Sequence, residues 1–387
     1  MSFFRPFALE RWFAAHEFSA PWLLCASDCE SRSIKDVLAL EGGAEEALLS
    51  LRLGYTESRG SPSLRESVAV LYQGLGPSSI LIHAGAEEAI LNLCLALLGK
   101  GDRVIVNFPC YQSLSEIPRA LGCRVDALRF REESGRWFLD PDELDRLLEK
   151  GGAVKLVILN FPHNPTGGLP SPGEFEHIVE SCRKAGVILL VDEVYQYLEH
   201  DPARRLPAAC EAYEKGISLN VLSKSAGLAG LRIGWLATAM TEVLDRIAVV
   251  KDYNSICASG PSEVLAGVAI RHLSALAEAN SRLCLSNLAL LRDFFARRQG
   301  RLSWTEPEGG SIAFPRLADE EAARWLGAKG AGDAEALALR LVKEAGVLLL
   351  PGAYYGYTPA YFRIGYGRAN MAEALARFEA WLDGPGA

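Results

Sequence analysis

Short β-branched runs alternate with longer amphipathic stretches through the middle of the chain. DRVIVNF (102–108) predicts a strand, followed by a helix near 111–121. AVKLVILNF (153–161) is apolar almost without a break, the pattern of a strand covered on both faces. PGEFEHIVESCRKAG (172–186) spaces its apolar residues at helical intervals and ends on a glycine stop. GVILLVDEV (186–194) predicts another buried strand, and GISLNVL (216–222) and LRIGWLAT (231–238) two more. Strands separated by helices imply right-handed crossovers and a mostly parallel sheet.

The texture changes after Pro261. Residues 262–298 keep a helical period too long for a routine packing helix, which predicts a connector with a bend partway. SIAFP, GVLLLP and YFRIGYG then predict short strands, with helices near 332–345 and 370–382. That is α+β texture, a second and smaller unit. The helix around 7–17 has no strand partner nearby and is assigned to it. A length of 387 residues, about twice the usual domain, agrees with two coupled units.

Composition narrows the function. The net charge is −8 and no basic run appears, which argues against a nucleic-acid surface. No stretch of eighteen apolar residues is present, and the N-terminus lacks the apolar core of a signal peptide. The expected location is therefore the cytoplasm. Nine scattered cysteines form no Cys-x-x-Cys pair and are read as small buried residues. With six histidines and no close pairing, no metal site is expected.

In a doubly wound sheet, ligands bind at the carboxyl ends of the strands. After VILNF comes PHNPTGG, with Asn164 in a turn of Pro and Gly. Asp192 ends its apolar run, and Tyr195 follows three residues on. Ser223 and Lys224 follow the strand at 216–222. Gly85, the last residue of ILIHAG, opens a helix with Ala86 and Glu87. Each signal alone reads as a cap, a turn or a solvated lysine. Their order and spacing together point to an active site.

The set NFPHNPTGG, VDEVYQYLE, LSKSAGLAGLRIGW and YFRIGYGR, with LGYTESRGSPSLRESVA upstream, resembles the class I/II aminotransferases, pyridoxal-phosphate enzymes of fold type I. The motifs stand in the family's order from residue 53 to residue 368. The resemblance implies an α/β fold: a three-layer large domain with a mostly parallel seven-stranded sheet, plus a smaller α+β domain. The implied division is 45–265 for the large domain, 1–44 with 285–387 for the small one, and 266–284 within the connecting helix. The implied cofactor is pyridoxal 5'-phosphate, bound to Lys224 as a Schiff base. Lys224 then needs a lowered pKa, which burial near another cation supplies. By resemblance, Asp192 holds the ring nitrogen, Asn164 and Tyr195 donate to the ring oxygen, and Tyr111 stacks on the ring. Gly85, Ala86 and Glu87 lend backbone N–H groups to the phosphate and Arg232 a guanidinium fork; Ser223, beside the lysine, compensates for the hydroxyl missing at Val221, or that hydrogen bond is absent. Arg363 matches the arginine that clamps the substrate carboxylate. Tyr55 matches a tyrosine that reaches the neighbouring subunit's site, which implies a homodimer.

Two places depart from the family. Val221 stands where many members carry a phosphate-binding hydroxyl. CASDCESRS (25–33) stands where members often have a Gly-x-Pro stretch lining the substrate pocket. Asp28 or Glu30 there faces the pocket, favouring a cationic or hydroxylated substrate side chain, or caps the helix near 33–40. The expected reaction is transamination between an L-amino acid and a 2-oxo acid. The same residues also support elimination or cyclisation, as in carbon–sulfur lyases, aminocyclopropane-carboxylate synthases and the capreomycidine synthase type. A ligand-sensing regulator is disfavoured, since the 52 residues before LGYTES are not basic.

Overall fold

The computed structural model describes residues 4–318 and 333–384. Residues 319–332 and 385–387 of the expected small domain, and residues 1–3, lie outside the described residues. The first eight strands are β1 (Ile80–His83), β2 (Arg103–Phe108), β3 (Arg124–Glu133), β4 (Arg136–Leu139), β5 (Leu156–Asn160), β6 (Ile188–Asp192), β7 (Gly216–Val221) and β8 (Gly234–Ala237). They form one sheet in the order β1-β8-β7-β6-β5-β2-β3-β4. The run β7-β6-β5-β2-β3 is parallel; β8 is antiparallel to both of its neighbours.

The expected sheet had seven strands, and the structure adds an eighth. β4 turns back on β3 through Ser134 and Gly135, both at positive φ (52° and 76°). Two such residues make the tight turn whose twist matches a hairpin. The apolar pattern of RWFL was too short to announce a strand by itself.

The central strands are buried, and their side chains alternate between two cores. Val157, Leu159, Leu189 and Val191 join one core with Leu337, Leu348 and Phe362. Leu156, Ile158 and Leu190 join another with Ala89 and Leu93 of the helix Ala86–Leu97. Each large apolar side chain so buried contributes about 1.5–3 kcal/mol. The crossover helix Pro172–Ala185 starts on a capping box between Ser171 and Glu174 and stops at Gly186, φ 64°. The expected bend in the connector falls at His272, between the helices Gly260–Arg271 and Leu273–Arg297.

The remaining strands are short: β9 (Leu302–Ser303), β10 (Ile312–Ala313), β11 (Arg316–Leu317), β12 (Leu350–Pro351) and β13 (Phe362–Gly365). β13 is the middle of a three-stranded sheet, between β10 and β12, and β9 pairs with β11. The helix Ala8–His16 touches both sides of the molecule. Trp12 Nε1 donates to the Leu349 carbonyl at 3.0 Å, while the Ala8 amide donates to Gln112 Oε1 at 2.9 Å. Among the described residues, no helix is long and apolar enough to cross a membrane.

One close approach positions the site. Residues 24–30 run beside β13, with the Gly365 amide donating to the Leu24 carbonyl at 2.9 Å and the Glu30 amide to the Gly367 carbonyl at 2.8 Å. A Cβ on Gly365 would stand 1.7 Å from the Ala26 carbonyl oxygen, so only glycine lets the two backbones meet. Gly365→Ala should therefore destabilise the protein by about 1–3 kcal/mol, the range for forced overpacking. Thermal and urea unfolding measure this; an unchanged midpoint would show that the contact is not needed.

Candidate active site

The strand ends meet where the register puts them. Asn160 lies opposite Asp192, and Asp192 opposite Leu219, so the carboxyl ends of β5, β6 and β7 open on one edge. A cavity of about 410 Å³ lies there. It is lined by Lys224, Asp192, Tyr195, Asn164, Ser223, Arg232, Ala86, Glu87, Tyr111, Arg363 and Asp28. Of the residues singled out in the sequence, Gly85 is just outside the lining, and Tyr55 is apart from it and 90 % exposed.

Lys224 Nζ donates to Ser27 Oγ at 2.9 Å. Burial lowers its pKa; Asp28 and Asp192 oppose this and Arg363 reinforces it. Burial pushes the Asp192 carboxyl up to about 7, against the Val194 amide and the Lys224 charge. A cationic ring nitrogen against that carboxyl would favour its ionised form. Tyr195 is 1 % exposed, and among the described residues its hydroxyl has only the Ser27 side chain beside it as a hydrogen-bonding group. Asn160 sets Asn164 and Asp192 together: its Oδ1 accepts from the Asn164 amide at 2.7 Å, and its Nδ2 donates to the Asp192 carbonyl at 2.8 Å.

Arg363 is 1 % exposed, on β13. Its Nε and Nη2 donate to the Cys25 carbonyl at 3.1 and 2.7 Å. Nη1 donates to the Tyr355 hydroxyl and, at 3.4 Å, faces Asn164 Oδ1. One Nη2 hydrogen remains, and the long Asn164 contact is weak enough to yield to a carboxylate.

The helix Ala86–Leu97 begins at Gly85, φ 90°. A Cβ there would stand 2.4 Å from Arg232 Nη2, so the glycine lets the guanidinium reach the helix N-terminus. Among the described residues Arg232 forms no ion pair; its Nη1 touches only the Ala229 carbonyl at 3.4 Å. Free N–H groups at a helix start beside an unpaired guanidinium suit a phosphate. Val221 presents its methyl groups to the cavity where a hydroxyl was expected, and Ser223 lines it too.

Two expectations change. Asp28 and Glu30 cap no helix: Ser33 does so, in a capping box with Asp36. Asp28 instead pairs with Arg368 at 2.7 Å, and Glu30 accepts from the Ala369 amide at 2.8 Å. Glu87 was expected to serve through its backbone alone, yet its side chain lines the cavity and accepts from Ser113 Oγ at 3.0 Å. Burial pushes that carboxyl up to about 7; Glu10 and Asp192 add to the rise, and Ser113 and Arg232 oppose it.

Sequence reasoning missed Ser27, Asn160, Tyr355 and the wall made by Glu10, Phe13 and Glu17. Asn160 left a signal, a polar residue ending the apolar run VILN. The others left none, because each meets the site across more than a hundred residues or through a helix of ordinary amphipathic pattern. Among the described residues one group, Asp142, Asp145 and His177, is close enough to hold a metal ion. It lies outside the cavity, with His177 and Asp145 paired at 2.8 Å.

The sheet and the cavity define a pyridoxal-phosphate-dependent enzyme of fold type I. The chain belongs to the aminotransferase class I and II family, whose model matches residues 24–378. It is 29 % identical over 376 residues to capreomycidine synthase of Streptomyces vinaceus, covering 95 % of this chain and 91 % of that one. A PLP-dependent aminotransferase from Streptococcus suis 89-1591 is similar in structure, with a TM-score of 0.89 and 31 % identity over 98 % of both chains. The PLP-dependent cyclase OrfR has a TM-score of 0.88 and 30 % identity, covering 98 % of this chain and 97 % of that one.

The residues present fit the cofactor. Among the described residues the buried Tyr195 hydroxyl has only Ser27 beside it, Asp192 forms no ion pair, and the gap over Gly85 leaves Arg232 without one, open to a phosphate. When bound, pyridoxal phosphate supplies an aldehyde for an amine and a ring that accepts electrons.

The Glu87 carboxyl makes a pH prediction. Below about pH 7 it is neutral and tolerates a phosphate; above, it ionises and repels one. Among the charged groups facing it, Arg232 offsets this repulsion, while Glu10 and Asp192 do not. Pyridoxine 5'-phosphate, which has the phosphate but no aldehyde, isolates the effect. Between pH 6 and 8.5 wild type should lose affinity relative to Glu87→Gln by up to roughly tenfold, the value of one pKa unit. Parallel calorimetric profiles for the two proteins would dismiss the carboxyl's part.

Proposed function

We propose that this chain is an aminotransferase, moving an amino group between an L-amino acid and a 2-oxo acid in a ping-pong cycle. The carrying observation is that the desolvated Lys224 amine and the buried Arg363 guanidinium open on one cavity, with Asn164 beside Arg363. Lys224 links to the cofactor and carries the proton at the substrate carbon. Asp192 holds the ring nitrogen; Asn164 and Tyr195 donate to the ring oxygen; Tyr111 covers the ring. The amides after Gly85, with Ser223 and Arg232, take the phosphate. Arg363 clamps the α-carboxylate, and Asp28 faces the substrate side chain.

A homodimer belongs to this reading. Tyr55 is exposed beside Leu49 (74 %) and Leu53 (84 %), an apolar stretch suited to a second copy whose site Tyr55 would enter. Cytoplasmic residence completes it.

A second reading has a specific observation behind it. Glu10, Glu17 and Asp28 line one side of the cavity. Burial raises the pKa of Glu17, and its neighbours Asp28 and Glu10 raise it further, so these carboxyls feel one another. Such a wall favours a substrate with a cationic side chain. Together with the likeness to capreomycidine synthase and to the cyclase OrfR, it supports a lyase or cyclase on the same residues.

Borohydride reduction of the loaded protein should fix the cofactor to Lys224, and Lys224→Ala should abolish the adduct. A peptide map with the label elsewhere refutes the lysine assignment. Single-turnover mixing with each common amino acid separates the reactions. Recovery of pyridoxamine phosphate supports transamination, whereas ammonia and a 2-oxo acid with the cofactor unchanged mean elimination. Arg363→Ala should raise KM for the amino acid strongly, since losing a buried charge pair costs about 2–5 kcal/mol. An unchanged KM rules out the clamp.

A further inference from the structure

The N-terminal segment does more than line the pocket. Ser27 lies on CASDCES, beside β13, and its hydroxyl accepts a hydrogen bond from Lys224 Nζ at 2.9 Å. The segment is held there without that hydroxyl: the Ser27 carbonyl accepts from Ser311 Oγ at 2.8 Å, and the amides of Gly365 and Glu30 close the backbone contacts on either side. The hydroxyl is thus not needed to place the segment. It meets the Lys224 amine across 197 residues of chain, with the Tyr195 hydroxyl also beside it.

On the reading proposed above, a substrate amine would free Lys224 from the cofactor before the proton transfers. In that state a flexible four-carbon stem must keep its nitrogen in the cavity and accept a proton. An acceptor for one N–H does both jobs. It anchors the amine while leaving the lone pair open, and it binds the ammonium more strongly than the amine because the bond becomes charge-assisted.

We propose that Ser27 is a catalytic residue that holds the free Lys224 amine during the proton transfers at the substrate carbon. The Cα–H bond breaks and its proton joins the Lys224 lone pair. The bonding electrons stay at the substrate carbon, where the cofactor, when bound, would accept them. The Ser27 oxygen stabilises the resulting ammonium until the proton is delivered. The proposal rests on Lys224 being the cofactor lysine, as read above.

The test uses loaded wild type, Ser27→Ala and Ser27→Thr, with the amino acid that turns over fastest in single-turnover mixing. Borohydride labelling comes first. A wild-type adduct away from Lys224 overturns the lysine reading and this proposal with it. With the adduct on Lys224, exchange of the substrate α-hydrogen in heavy water is followed by NMR beside steady-state kinetics. Ser27→Ala should slow exchange and kcat by about tenfold, the effect of one lost hydrogen bond of ordinary strength. The isotope effect from α-deuterated substrate should rise. KM and cofactor affinity should stay within about twofold, and Ser27→Thr, which keeps the hydroxyl, should restore the rate. A purely structural serine would change KM, cofactor affinity or melting temperature instead. Unchanged exchange and isotope effect in Ser27→Ala overturn the proposal. Should that variant not fold, Ser27→Cys keeps the shape with a weaker acceptor, and unchanged exchange there overturns it equally.

Discussion

On the proposed reading, Lys224 works as an amine and not as a solvated ammonium. Burial lowers its pKa, and the nearby Arg363 charge lowers it further. A second cation so close would be costly alone in a medium of low dielectric. The surrounding architecture offsets that cost. The Cys25 carbonyl and the Tyr355 hydroxyl fill donors of Arg363, while Asp192 and Asp28 supply the opposite charge near the lysine. The parallel sheet delivers Asp192 and Lys224 to one edge by register, and Gly365 lets the segment carrying Cys25 approach β13. Without that approach the arginine would lack its carbonyl and the lysine its serine.

The N-terminal segment therefore unites two tasks. Its backbone holds Arg363, the arginine proposed for the α-carboxylate, through Cys25. Its side chains face what remains of the substrate: Ser27 meets the lysine and Asp28 lines the cavity, held by Arg368. The helix Ala8–His16 and the residue after it add Glu10 and Glu17 to the same wall. On the proposed reading the cofactor and the α-carboxylate take Lys224, Arg232 and Arg363, which leaves Glu10 and Glu17 no cation among the lining residues, while Asp28 keeps Arg368. The wall is thus set against an anionic substrate side chain, in keeping with the absence of a second arginine of that purpose in the motifs.

The phosphate end shows a different compromise. Val221 removes a hydroxyl, and Glu87 introduces a carboxyl where backbone amides and Arg232 await a dianion. Held neutral, that carboxyl is a donor and no obstacle. Ser223 lies at hand on the same loop. On the proposed phosphate site, Ser223 would stand in for the lost hydroxyl, and cofactor retention would be sensitive to pH near neutrality.

Much of this was written locally. Apolar runs broken by Asn164, Asp192 and Lys224 mark strand ends. Gly186 follows from a helix stop and a bend in the connector from its long period, though not its place at His272, and the motif set from residue 53 to 368 carried the family and the cofactor. These features are legible because a strand end, a cap or a turn depends on a few neighbouring residues. The eighth strand was also local, in Ser134–Gly135, but too short to stand out from its surroundings. Tertiary structure alone decided the rest. Ser27 finds Lys224 from 197 residues away, and Arg363 finds the Cys25 carbonyl from 338. Asp28 turns to Arg368 instead of a helix end, and Glu87 turns its side chain inward. A hydrogen bond between distant residues, or a rotamer chosen by packing, leaves no period in the sequence. It exists only once two backbones have been brought together, here by a glycine with no room for a side chain.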